Sequence, residues 1–449
     1  MQMKVAGRFL IRQEREVDTQ PTSPLQQSGT VPSLWYEALL PYLCTRLVLV
    51  LVGLLADFYL LPLLKSNPLL PPISLNTHFP DTLWLMWKHF DGGFYVDIAE
   101  HGYWAAYTLR TTSNWIFLPL YPMLIYPIGH LFGASDSAFD IAGIVVSNIA
   151  GLVAVTYLYR LVRGEIGSRI ASRTVIYLAL FPTSFYLSAV YPESIFLACA
   201  IACIYYARRR SWWLAGVCGA LASLARIQGF LLVVPVAWEY WQVLSDRYSP
   251  LPDMNGMTLP QKAYNWLYSR LWGPFLSAQK LQNWSNLFAV ALIPFGLAPF
   301  LIYSKIKTGD FLATIHNHHV GWGRYLEYPW QLLANALSHP LPPNPMDGNF
   351  WLLNIITIGV FFGFTIWSLR RLPMIYTLYM SVMVLMPLLT ASINSISRYY
   401  LVIFPALMLL ALWSNQDRQP ARHFLVLNLF AALQVVFMIF YVLGLPLIA

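Results

Sequence analysis

The chain has 449 residues, of which 57% are hydrophobic, 16% aromatic and only 11% charged, with a mean hydropathy of +0.54. A soluble domain carries roughly 25% charged residues, so this balance excludes a soluble protein and indicates a polytopic membrane protein. The formal net charge of +8 does not mark a nucleic-acid binder, because Lys and Arg are scattered through short loops and form no continuous patch.

In chain order, residues 1–35 are polar, with Pro, Ser and Gln, and read as a flexible cytoplasmic tail without the early apolar core of a signal peptide. Apolar runs then recur at 39–64, 139–160, 173–190, 194–206, 212–224, 230–244, 287–303, 350–369, 374–391, 399–413 and 424–447. A span needs about 20 such residues, so an all-α architecture of about 11–12 transmembrane helices is expected. It forms one helical membrane domain over 36–449, with no repeat or linker dividing it. The run 115–132 contains Pro119, Pro122 and Pro127 and crosses, kinks or only dips into the bilayer.

Clusters of Lys and Arg at 4–15, 160–173, 208–210, 247–280, 370–371 and 418–422 mark the cytoplasmic loops. The alternation this requires works if 115–132 makes no net crossing. It places the first long loop (65–114), Tyr191-Pro192-Glu193, the second long loop (305–349) and residues 394–398 on the other face. Cys44, Cys199, Cys203 and Cys218 all fall in apolar runs and read as small packing residues; no CxxC or HExxH spacing suggests a metal.

The first long loop carries Phe90-Asp91-Gly92-Gly93 amid Trp84, Trp87, Phe94, Tyr95, Tyr103 and Trp104. Amphipathic aromatics suit the headgroup boundary, so short helices along the membrane surface are expected. Asp-Gly-Gly is also ordinary turn chemistry, in which Asp91 would only accept backbone hydrogen bonds. The alternative is a general base beside two glycines that admit a substrate closely, with Asp97 and Glu100 as further candidates.

Several ordered segments now become recognisable. The run from Phe90 to Tyr103 is followed by Ile116-Phe117-Leu118-Pro119-Leu120-Tyr121-Pro122, then by Phe181-Pro182-Thr183-Ser184 with Tyr191-Pro192-Glu193-Ser194, and by Leu224-Ala225-Arg226-Ile227-Gln228-Gly229. Thr308-Gly309-Asp310 through His316 to Trp322-Gly323-Arg324, Pro329-Trp330 and Ser397-Arg398-Tyr399 complete the set. Over 87–405 the chain resembles the PIG-V family of GPI mannosyltransferases and their bacterial relatives, within the GT-C glycosyltransferases. One departure is that the family commonly has Trp before its catalytic Asp, whereas here Phe90 stands there and Trp87 lies one helical turn earlier.

The resemblance implies a GT-C fold and transfer of mannose from polyprenyl-phosphate mannose to a lipid-linked or membrane-borne hydroxyl, by inverting displacement on the non-cytoplasmic face. Asp91 is the implied base. No cofactor is expected, the lipid-linked sugar donor being a substrate.

A lipid phosphate leaving group calls for Arg, and Arg324 and Arg398 are the candidates, against the alternative that each snorkels to headgroups. Of His316, His318 and His319, His316 or His319 is expected to bond phosphate or sugar. Glu193 binds sugar hydroxyls or caps a helix. Asp57, inside the first span, pairs with Arg226 or Arg398, or shapes the acceptor cavity. The expected substrate-contacting set is Arg324, Arg398, His316, His319, Glu193, Trp87, Tyr95 and Arg226.

Two alternatives stand beside this reading: the same machinery with another polyprenyl-phosphate sugar, and a multi-pass lipid or solute transporter. A transporter would show inverted repeats, and the two halves show no such correspondence. The expected location is the cell membrane, with the endoplasmic reticulum membrane as the alternative.

Overall fold

The structure is a computed structural model that describes residues 34–66, 79–104, 113–248, 256–268, 281–338, 351–390, 392–415 and 420–445. The polar tail expected at 1–35 therefore lies almost wholly outside the described residues, as do parts of both long loops. All regular structure among the described residues is helical, apart from an isolated antiparallel bridge between Leu326 and Thr390.

The order begins with α1 (Trp35–Lys65), α2 (Thr82–Leu85), α3 (Gly92–His101), α4 (Leu120–Leu131), α5 (Asp136–Glu165), α6 (Ser168–Leu180), α7 (Glu193–Arg208), α8 (Trp212–Ala225) and α9 (Val233–Tyr248). It continues with α10 (Leu259–Leu267), α11 (Leu281–Phe295), α12 (Ala298–Thr308), α13 (Ala313–Trp322), α14 (Pro329–Ser338) and α15 (Trp351–Ser368). The last four are α16 (Met374–Leu388), α17 (Ile396–Tyr399), α18 (Phe404–Ser414) and α19 (Pro420–Val442). The short helices expected in the first long loop are present as α2 and α3.

Among the described residues, four helices are long and apolar enough to cross a membrane: Trp35–Lys65, Asp136–Glu165, Ile227–Asp246 and Pro420–Val442. Two bent pairs raise this to six, Trp284–Phe295 with Ala298–Thr308 at 41° and Ile396–Val402 with Phe404–Ser414 at 74°. The shorter apolar helices Trp212–Ala225, Leu352–Ser368 and Met374–Leu388 match further expected runs. The protein is thus a multi-pass membrane protein.

Two further expected runs are not continuous spans. In 115–132, expected to cross, kink or dip, the α-helical part is the 12 residues of α4, about 18 Å at 1.5 Å per residue, which is well short of a hydrocarbon core of about 30 Å. In 173–190, α6 ends at Leu180 because Phe181 precedes Pro182 and is extended (φ −53°, ψ 138°).

That second break shapes the molecule. Ending a helix inside the core leaves carbonyls unpaired, which is costly unless side chains reach them. Arg46, buried in α1, donates to the Ala179 and Ser184 carbonyls at 2.7 and 2.6 Å and to Ser184 Oγ at 3.0 Å. Gln434 of α19 donates to the Ala179 carbonyl at 2.8 Å. The irregular stretch that follows stays buried, with Phe185, Tyr186, Leu187, Ala189, Val190 and Tyr191 all 0–1% exposed. From α5, Ser147 donates to the Ala189 carbonyl at 2.8 Å. The stretch ends where α7 begins, at Glu193.

Asp57 is buried in a π-turn of α1, and Thr82 of α2 donates to its Oδ2 at 3.1 Å. The expectation that it pairs with Arg226 or Arg398 is corrected: those arginines bond Glu193 and Asp91, respectively.

Candidate functional site

The segment before α3 is gripped by two tyrosines. The Trp87 carbonyl accepts from the Val190 backbone N–H and the Tyr441 hydroxyl, each at 3.0 Å. The Tyr191 hydroxyl donates to the His89 carbonyl at 2.9 Å and accepts from the Asp91 N–H at 3.0 Å. Lys88 pairs with Asp140 of α5 at 2.6 Å. Phe90 is thereby held at φ 53°, a left-handed conformation costly for a residue with a side chain.

Asp91 occupies the N-cap position of α3, yet its side chain makes no cap hydrogen bond. Its Oδ2 lies 2.9 Å from Nη1 of Arg398 instead, so the turn interpretation does not account for this carboxylate. A Cβ on Gly92 would stand 3.3 Å from the Val190 carbonyl oxygen, whereas one on Gly93 would meet nothing within 4 Å. The first glycine allows the close approach; the second faces open space.

Arg398 follows Ser395, another non-glycine residue in the left-handed region (φ 63°). Such strain, about 1–3 kcal/mol per residue, persists where surrounding structure over-determines the backbone, and clusters at functional sites. Each member of the Asp91–Arg398 pair is thus presented by a strained turn.

Glu193, 1% exposed, joins the pair to further arginines. Its Oε1 accepts from Arg226 and lies 3.6 Å from Arg398 Nε. Around the Tyr399 ring stand Arg226, Arg324 and Arg398, their guanidinium carbons 4.9, 5.0 and 5.3 Å from its centre. Arg324 also donates to the Asn394 carbonyl at 2.9 Å. Residues from five separate stretches of chain therefore meet: three guanidiniums against two carboxylates, an excess of one positive charge.

Of the five stretches holding this site, those of Asp91, Glu193 and Arg226 fall within a family match, and those of Arg324 and Arg398 lie beyond it. Residues 37–284, more than half of the chain, match the family described as Mannosyltransferase (PIG-V). The chain belongs to the PIG-V mannosyltransferase family. No curated protein matches it significantly.

Among solved structures, the chain is similar to ArnT from Cupriavidus metallidurans bound to undecaprenyl phosphate, at 14% identity and a TM-score of 0.46 over 78% of this chain and 61% of that one. It is also similar to the Archaeoglobus fulgidus oligosaccharyltransferase in the apo form, at 14% identity and a TM-score of 0.44, covering 93% of this chain and 57% of that one. The chain thus spans about three fifths of the length of these structures.

The remaining expected residues of this PIG-V chain lie around the site. The Tyr95 ring, 8% exposed, packs edge-on to Phe117 and Tyr121 with centroids 4.9 and 5.4 Å away. Burial, and then the charge of Glu193, hold its phenol well above its ordinary pKa. Trp87 is 3% exposed and packs in the core under the loop. Asp97 accepts from Trp104 Nε1 at 2.7 Å, and Glu100 faces Asp136, burial and that neighbour raising its pKa.

His316 pairs with Asp310 at 2.6 Å, and His319 meets Tyr325 edge-on at 5.6 Å. Both line an open recess of about 310 Å³ with Ile315, Val320, Arg324, Tyr325 and Leu326.

Sequence reasoning passed over His318. Burial, reinforced by the charge of Arg324 and opposed by that of Asp91, lowers its pKa to about 4, and its Nδ1 is buried without a hydrogen-bond partner among the described residues. Only the crowding of three histidines in four residues hinted at it, and periodicity alone could not tell which one faces inward.

Proposed function

We propose that this protein transfers mannose from a polyprenyl-phosphate mannose to a membrane-borne hydroxyl on the non-cytoplasmic face, by a single inverting displacement. The observation that carries this reading is the contact between Asp91 and Arg398 inside a cluster with one uncompensated positive charge. A phosphodiester bears one negative charge and matches that excess. Family membership supports mannose as the transferred sugar.

In this mechanism the donor phosphate engages Arg324 and Arg398. As Arg398 turns its charge to the phosphate, Asp91 is released to accept the proton of the incoming hydroxyl. The acceptor oxygen bonds to the anomeric carbon while the bond from that carbon to the phosphate oxygen breaks. The electron pair leaves on the lipid phosphate, where the arginines stabilise the added charge. Glu193, through Oε2, which has no hydrogen-bond partner among the described residues, is available to accept a sugar hydroxyl.

The test is a donor screen with the purified full-length chain. Transfer of labelled mannose from polyprenyl-phosphate mannose, with none from nucleotide-activated mannose, is the expected result. Transfer from the nucleotide sugar alone, or from another polyprenyl-phosphate sugar but not mannose, would contradict the proposal.

A further inference from the structure

The carbonyl of His318 accepts the backbone N–H of Arg324 at 3.0 Å, and Gly323, at φ 60°, makes the left-handed turn between them. This left-handed glycine cap brings two residues six apart in sequence back together. On the preceding turn, Asn317 pairs with Ser113 at 2.8 Å and Thr314 donates to the Trp115 carbonyl at 2.9 Å. Helix α13 is therefore clamped to the chain that follows α3, and His318 is fixed beside Arg324.

A buried ring nitrogen without a partner costs about 1–3 kcal/mol, so in this clamped position it is a polar atom available to a ligand. Two other buried atoms without a hydrogen bond among the described residues belong to the same cluster: Glu193 Oε2, and Arg398 Nε, which lies 3.6 Å from Glu193 Oε1. We propose that His318 is a further substrate-positioning residue, whose Nδ1–H donates a hydrogen bond to the phosphate of the lipid-linked donor beside Arg324. This rests on the donor class proposed above. An imidazole that stays neutral at physiological pH donates to the phosphate without adding a second uncompensated charge to the cluster.

The experiment is a titration of the full-length protein in nanodiscs with undecaprenyl phosphate, alongside turnover. His318→Ala is expected to weaken binding about tenfold or more, equivalent to about 1.4 kcal/mol, raising the donor KM with a smaller change in kcat. In His318→Asn the side-chain amide nitrogen can occupy the place of Nδ1, and binding should return to within about threefold of the parent. A purely structural histidine would not show this split. The inference is overturned if His318→Ala binds undecaprenyl phosphate like the parent, or if a folded His318→Asn binds as weakly as His318→Ala. If the parent neither binds undecaprenyl phosphate nor transfers mannose, the proposed function has failed and this inference falls with it.

Discussion

Glu193 shows what single residues contribute to the cluster. With 1% of its side chain exposed, its charge is tolerable only because Arg226 and Arg398 face it. Removing one partner of a buried ion pair costs up to roughly 3–5 kcal/mol, and without Arg226 only the more distant Arg398, shared with Asp91, would face Glu193. Arg226→Ala is therefore expected to lower the thermal midpoint sharply in detergent, and the double variant Arg226→Ala/Glu193→Gln to recover much of the loss. Equal midpoints for the two variants would contradict the pairing.

His89 supplies a pH signature. Burial, opposed by the charge of Asp57, lowers its pKa from 6.5 to about 4. Between these values the unfolded chain binds the extra proton and the folded one does not, so this contribution to stability is complete above about pH 6.5 and falls as pH drops toward 4, by up to roughly 1.4 kcal/mol per unit. His89→Asn should show a shallower decline of the midpoint over that window; an unchanged slope would count against it.

Helix α3 and the loop before it tie sequence to site at the scale of elements. Gly92 and Gly93 look equivalent in sequence, but only Gly92 lies against a backbone carbonyl. Gly92→Ala should displace the loop and lower turnover several-fold. Gly93→Ala, in open space and inside a helix, should raise stability by roughly 0.5–1 kcal/mol, the usual gain of Ala over Gly. If both variants behave alike, close packing at residue 92 is not what positions Asp91.

The aromatic loop, its short helices and the acidic candidate were legible from residues 84–104 because amphipathic rings and Asp-Gly-Gly carry local signals. The Asp91–Arg398 pair was not, since its partners are 307 residues apart and no local pattern encodes that meeting. Arg324 and Arg398 were identifiable by chemistry, as cations suited to phosphate; that they and Arg226 share the Tyr399 ring is a product of tertiary packing. The break at Pro182 was misread as part of a continuous apolar run, because hydropathy does not register a proline that ends a helix inside the core.

At the scale of the whole molecule, one helix joins two ionic networks. Helix α7 begins at Glu193, in the cluster, and ends at Arg208, which bonds Glu165 and Glu239 at 2.6 Å each. Its 16 residues put about 24 Å between the two ionic networks, nearly the thickness of the bilayer core. The proposed topology sets the Glu193 network outside and the Arg208 network at the cytoplasmic boundary. Single cysteines at 101 and 310, in a background lacking the four natural ones, should react with a membrane-impermeant thiol reagent from outside intact cells, and one at 210 only after permeabilisation. The reverse pattern would invert the topology.

The most direct measurement is single-turnover mannosyl transfer from polyprenyl-phosphate mannose by Asp91→Asn, with donor binding followed in parallel. A positioned base contributes about 10²–10⁴-fold, so the rate should fall by at least about a hundredfold while the donor still binds, Arg324 and Arg398 being intact. A rate near that of the parent, with donor bound equally well, would show that Asp91 is not the proton acceptor.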